Sequence, residues 1–253
     1  MTYLDYLMTL EPTSGSAITA TRYTENVLDL QGGLTGNTAN RDIARGKDIY
    51  ALFTVITAAG ASDAGTLELQ VVNSPHDTEA EMSKTNCALT IATDLVTWAS
   101  HGLPIGTPVA FSSISTTTGL STVRHYFVSA NNYSSGSFTV AETYEAALNV
   151  SGAVVNLATG DGSATVTAIP HILASSGPLT PTILTAGTQI ALRLNKPLNH
   201  AVSSSKIYAL PTYRYLAGRF VETGTITTAV VKCELIEGEP DGLKFYPGGW
   251  TIS

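Results

Sequence analysis

The sequence predicts a mainly β protein: an antiparallel jelly-roll or β-sandwich core, residues 1–85 and 169–253, with a small all-β domain, residues 86–168, inserted in it. Three observations lead there. Apolar and polar residues alternate with a period of two along several stretches, most clearly from Tyr213 to Ile236, which marks strands with one buried face. Turn-forming clusters such as AGASDA, NNYSSG and ATGDGS separate these stretches at short intervals. Helical spacing is confined to two short segments.

Taken in order, Tyr3, Tyr6, Leu7 and Leu10 stand at i, i+3, i+4 and i+7, one face of about two helical turns. A helix so short needs a partner, so this arm is expected either to pack on its own domain or to dock on a neighbouring subunit. SAITAT (16–21) and ENVLDL (25–30) read as short strands, followed by the Gly- and Asn-rich loop QGGLTGNTANRDIARGKD. IYALFTVITA (49–58) and GTLELQVVNS (65–74) are two clear strands, expected to form a hairpin through AGASDA.

Within residues 86–168, LTIA, DLVTWA, TPVAFSS, VRHYFVSA, GSFTVA, AVVNL and ATVTA read as strands. ETYEAALN (142–149) supplies one helical turn, with Tyr144, Ala147 and Leu148 on one face. HILASS, PTILTA and TQIALRL then resume the strand pattern, so the block reads as an insertion, which exposed loops tolerate because longer closure costs little. The last element is a long hairpin, with Ala229, Val231, Cys233 and Leu235 on one face and the reversal at Thr223-Gly224.

Composition narrows the function classes. Of the 253 residues 43% are hydrophobic and only 13% charged, about half the usual share of roughly 25%, so the surface must be built from Ser, Thr, Asn and Gly. A net charge of −7 with 13 scattered Lys and Arg argues against nucleic-acid partners, which need clustered cations. No apolar run approaches the ~20 residues of a membrane span. The opening MTYLDYLMTLEP lacks a basic leader region and carries Asp5 and Pro12, so no signal peptide is expected and synthesis is expected in the cytoplasm.

Catalytic and metal-binding motifs are sparse. Nucleophile elbow, phosphate loop, dinucleotide fingerprint and zinc or calcium signatures do not occur. His76, His101, His125, His171 and His200 are each isolated, which points to structural or surface roles. Asp161 in TGDGS reads as a turn residue rather than a calcium ligand. Glu234, Glu237, Glu239 and Asp241 read as a solvated acidic segment, and Cys87 and Cys233 as buried free thiols. Asn132-Tyr-Ser and Asn149-Val-Ser match the glycosylation triplet by chance. The expectation is therefore no enzyme, no cofactor and no metal. Near the end, Phe245, Tyr246 and Trp250 surround Pro247-Gly248-Gly249, either folding back or anchoring a partner. With Tyr3, Tyr6 and Leu7 they are the candidate subunit or partner contacts.

The series SAITATRYTENVLDLQGG, GTLELQVVNS, LTAGTQIALRL and YRYLAGRFVETGTITTAVVKCELI resembles the capsid cement, or decoration, proteins of tailed bacteriophages over about two thirds of the chain. The intervening VTWASHGLPIGTPVAFSS, RHYFVSANNYSSGSFTVAETYEAAL and VVNLATGDGSATVTA are similar to a small β-module of phage structural proteins. That module's pattern is a His-Gly-Leu turn, then Gly-x-Pro-Val, Tyr-x-Val and Phe-Thr-Val strands. The resemblance implies a jelly-roll on the outside of the phage head that forms a homodimer or homotrimer and bridges neighbouring major capsid proteins. It implies no catalytic residues. Its location would be the virion surface. The alternative is a carbohydrate-binding or receptor-binding β-module of a phage tail.

Overall fold

The computed structural model describes residues 9–30, 49–194, 201–203, 206–208, 213–237 and 251–252. In chain order its strands begin with β1 (Thr9–Glu11), β2 (Arg22–Tyr23), β3 (Leu28–Asp29), β4 (Ile49–Thr57) and β5 (Thr66–Ser74). Next come β6 (Ser83–Thr90), β7 (Leu95–Thr97), β8 (Pro108–Ser115), β9 (His125–Val128), β10 (Ser137–Phe138), β11 (Val140–Ala141), helix α1 (Tyr144–Leu148) and β12 (Gly162–Ala168). The last group is β13 (His171–Leu179), β14 (Gln189–Arg193), β15 (Ala201–Ser203), β16 (Lys206–Tyr208), β17 (Tyr215–Thr223), β18 (Val230–Glu237) and β19 (Thr251–Ile252). The protein is mainly β, as its alternation requires.

The chain divides into two compact units, one of Met1–Glu79, His171–Pro197 and Arg214–Ser253, the other of Ala80–Pro170 and Leu198–Tyr213. β6 crosses position 85 unbroken. In the first unit two antiparallel sheets, ordered β1-β18-β4-β14-β19 and β13-β5-β17-β2, form a sandwich, with β3 also on β17. Every second residue of the long strands points inward. Phe53 and Val55 of β4, Leu192 of β14, and Val231 and Leu235 of β18 share one buried cluster with Leu67 and Leu69 of β5 and Leu216 and Phe220 of β17. Phe53 and Phe220 meet edge to face at 6.3 Å, closing the middle of that core.

Both expected hairpins are replaced by arches. β17 pairs with β5, from Tyr215↔Ser74 to Thr223↔Thr66, whereas β18 pairs with β4 and β1 in the opposite sheet. β4 and β5 likewise lie in different sheets. The physical reason is burial: a hairpin sets both apolar stripes on one face that still needs a cover, whereas an arch makes the two stripes cover each other. The two arches run side by side. Gly65 N donates to Thr225 O at 3.1 Å, and a Cβ on Gly65 would stand 2.6 Å from Thr225 N, so only glycine fits this crossing. Asp63 ties them together by accepting from Gly60 N (2.8 Å), Thr227 N (3.0 Å) and Thr227 Oγ1 (2.7 Å).

Smaller expectations also change. Leu10 is extended and buried in β1, so the proposed helical face does not reach it. SAITAT and PTILTA bury Ile18 and Leu184 completely without being strands, the second as a turn in which Ile183 N donates to Thr180 O. LTIA ends in a turn after Thr90, and AVVNL stays irregular although Val155 N donates to Val140 O. Apolar burial alone therefore does not demand a ladder.

The second unit is built on a nearly barrel-shaped sheet. Its sheet runs β10-β7-β6-β12-β8-β9-β11, and β10 and β11 are one stretch broken only at Thr139. That stretch pairs with β7 through Ser137 and Phe138 and with β9 through Val140 and Ala141, so it joins the two ends of the sheet. Phe111, Tyr126, Val128, Phe138, Val140 and Val166 are buried in it. Helix α1, capped by the Thr143 side chain accepting from Ala146 N, buries Tyr144 and Ala147. Gly106 has φ +86°, and a Cβ there would stand 2.5 Å from Tyr144 Cε2. β15 and β16 pair as a separate two-stranded ribbon.

Candidate functional site

Tyr3, Tyr6, Leu7, Phe245, Tyr246 and Trp250 lie outside the described residues, as do His200, Glu239 and Asp241. What the described residues bring together is a line of ion pairs where β2 and β3 meet β17 in the first unit. Position follows from register: Phe220 stands opposite Arg22 and Tyr215 opposite Asp29, so side chains from distant sequence fall at one sheet edge.

Glu11 is the centre of that edge. It is fully buried, and its carboxylate accepts from Arg22 NH2 (2.7 Å), Arg22 NH1 (3.2 Å) and Glu25 N (2.7 Å). The same Arg22 guanidinium lies 5.0 Å from the Phe220 ring centroid. Because Glu11 belongs to the β1 sheet and Arg22 to the β17 sheet, this pair, with its carboxylate buried and its guanidinium partly exposed, pins the two sheets together along one side of the sandwich. Asn26 completes the seam, its N and Nδ2 donating to Leu10 O and Thr9 O, both at 2.9 Å. Sequence reasoning missed this clamp, because Glu11 and Arg22 sit on short strands of different sheets, which no periodicity along the chain reports.

Two further pairs flank it. Arg214 holds Asp29 with Nε to Oδ1 at 3.0 Å and NH2 to Oδ2 at 2.6 Å while stacking over Tyr215 at 5.1 Å. Arg219 holds Glu79, with Nε to Oε2 at 2.8 Å. Next to Arg219's strand, Tyr23 donates to Ser74 Oγ at 3.0 Å, and burial pushes its phenol up to about 12. Between Arg214 and β1 lies a cleft of about 600 Å3, lined by Leu10, Asn26, Asp29, Asp77, Arg214 and Tyr215. These groups suit recognition. Arg214 is already engaged with Asp29, and among the described residues no histidine, cysteine or lysine lines the cleft.

In the second unit His101 is fully buried and hydrogen bonded, a structural residue, and His125 is exposed in β9. Asp161 accepts from Ile91 N at 2.9 Å, which is turn work. Cys87 and Cys233 are free and buried, and burial pushes both thiols up. Glu234 pairs with Lys232 at 2.7 Å. Among the described residues no three of His, Cys, Asp and Glu converge as a metal-ligand set. A shallow cleft of about 430 Å3 runs beside α1, between Glu142, Thr143, Ala146, Ala153, Val154 and Asn156. No helix among the described residues is long and apolar enough to cross a membrane. Comparison with protein-family models and with curated proteins finds no match to this chain.

Proposed function

We propose that this chain is a structural virion protein, a capsid cement or decoration protein that binds the outside of a tailed-phage head and bridges neighbouring major capsid proteins. The observation that carries the reading is the strand order of the sandwich. With the two-residue strands β3 and β19 set aside and β1, β2, β4, β5, β13, β14, β17 and β18 counted as first to eighth, the two sheets run 1-8-3-6 and 5-4-7-2. This order is consistent with the two Greek keys of a jelly-roll, an architecture common in viral shells, and so supports the reading. Such a fold hosts many functions. Sequence narrows the choice, because the stretches that resemble cement proteins include β5, β14, β17 and β18 of this sandwich. A surface with little charge and many hydroxyls suits broad, wet contacts repeated over a lattice, each of which can be weak.

Self-association as a homodimer or homotrimer, location on the virion surface and the absence of catalysis belong to the same reading. The test is add-back: purified protein is mixed with bare expanded heads of the source particle and sedimented. Saturable co-sedimentation at a fixed ratio to the major capsid protein is expected, and protein that stays in the supernatant at every concentration overturns the reading. A second reading, a glycan-binding module of a phage tail, draws on the cleft where Tyr215, Asn26, Asp29 and Asp77 meet. Retention on a glycan array together with failure to bind heads would favour it.

A further inference from the structure

We propose that the inserted barrel carries an acid-sensitive latch, in which a single neutral imidazole, His101, rivets two loops together and releases them when it gains a proton. The motif that drew attention in the sequence, Ser-His-Gly-Leu-Pro, places this ring where the 98–104 turn meets the hairpin at 133–138. Trp98 N donates to Gly136 O at 3.0 Å and His101 N to Ser135 O at 3.3 Å, so the loops already share backbone bonds. The imidazole adds the side-chain bond between them.

Its protonation state follows from its partners. Nε2 lies 2.7 Å from Ser134 O, a carbonyl that only accepts, so Nε2 carries the hydrogen. Nδ1 lies 3.0 Å from Leu103 N, an amide that only donates, so Nδ1 is bare. A second proton on Nδ1 would set donor against donor at that distance. It would also place a full charge where the residue has no solvent exposure. The rings packed on it offer no counter-charge: Tyr133 stands edge-on at 5.5 Å and Phe138 at 5.0 Å. Tyr133 is the titratable group facing the imidazole, and its hydroxyl donates to Leu103 O at 2.7 Å. Neither imidazole nitrogen meets a carboxylate. Burial accordingly pulls this histidine below the ordinary range.

Backbone strain sits on both sides of the rivet. Ser100 has φ 55° and Asn132 φ 51°, left-handed conformations that relax when the loops part. Because the closed state excludes the second proton and the open state accepts it, opening becomes more favourable as pH falls below the ordinary histidine value of about 6.5. One proton taken up per opening gives a tenfold rise in the open population per pH unit, until the depressed value of the closed state is reached. Opening would expose Leu103 and Phe138, both fully buried in the closed state, and uncover the β7–β10 pairing.

Amide hydrogen exchange on the full chain between pH 7.5 and 5.0, corrected for intrinsic rates, tests this. Exchange in segments 99–107 and 131–139 is expected to rise about tenfold per pH unit below about 6.5, while β4 and β5 of the sandwich stay flat. In H101Q the acid dependence of those two segments is expected to vanish. Unchanged protection down to pH 5.0, or an H101Q variant with the same slope, overturns the latch. If H101Q does not fold, the ring's own NMR titration in the native protein decides: a midpoint below about 6.5 supports the proposal and one at or above it contradicts it.

Discussion

The sandwich and the barrel solve the same problem, holding short strands together with little charge to spare, by opposite means. The sandwich has open sheet sides and spends its charges there. Glu11–Arg22, Asp29–Arg214 and Glu79–Arg219 all lie at or beside the β2–β17 edge, and the Glu11 carboxylate is buried. The barrel joins the two ends of its sheet through one stretch, and the Arg124–Glu142 pair in it, at 3.5 Å, is exposed. Its cost appears in the backbone instead. All seven non-glycine residues with positive φ among the described residues lie in the barrel unit: Asn86, Asp94, Ser100, Ser113, Thr116, Asn132 and Thr159. Closing a small sheet on itself forces tight corners, and this chain turns several of them with Ser, Thr and Asn rather than glycine. An open sandwich needs clamps; a barrel needs strained turns.

The contrast can be broken at five points. The largest effect is expected from Arg22→Ala, which leaves the Glu11 carboxylate buried without its cation and should cost about 3–5 kcal/mol in equilibrium unfolding. Arg124→Ala, on the exposed pair, should cost less than about 0.5 kcal/mol. Equal losses would remove the distinction between the two units. Gly106→Ala adds a methyl into Tyr144 at a left-handed position, and a loss of about 2–3 kcal/mol in the barrel's transition is expected by calorimetry.

Thr116→Gly works in the other direction. Releasing a β-branched residue from φ 63° should raise stability by about 0.5–1 kcal/mol, and a loss would show that the turn is not strained. The smallest change concerns Asp63, whose carboxyl is held below its usual range chiefly by the Thr227 N–H, with the Thr227 hydroxyl and Gly60 N adding to it. A carboxylate with a depressed value stabilises the fold above its unfolded value of about 3.9, and that contribution disappears as pH falls through the folded value. Melting temperature followed from pH 7 to 3 should therefore drop less steeply in Asp63→Asn than in the native chain. Parallel curves would show that the two arches do not depend on this charge.

Strand existence was legible in the sequence because alternation reports which face is buried. Partnership was not. The same alternation in β17 and β18 serves a hairpin or an arch, and only knowledge of what covers Leu216, Phe220, Val231 and Leu235 separates the two. In the barrel, His101, Gly106, Val109, Tyr126, Val128, Phe138 and Val140 are buried or tightly packed, so each is dictated by its surroundings. Glu11 left no trace, since a lone acid between Leu10 and Pro12 looks like surface until β18 and Arg22 enclose it. The candidate contacts Tyr3, Tyr6, Leu7, Phe245, Tyr246 and Trp250 belong to segments outside the described residues, and their roles rest on the proposal alone.

Shell reinforcement is the claim on which the functional account stands, and particle stability measures it directly. Heads of the source phage assembled with and without this chain would be heated while released DNA is followed by dye fluorescence. The account predicts that heads lacking the protein release their genome at a lower temperature and that adding the purified chain restores the native value. Identical release curves with and without the chain would contradict it.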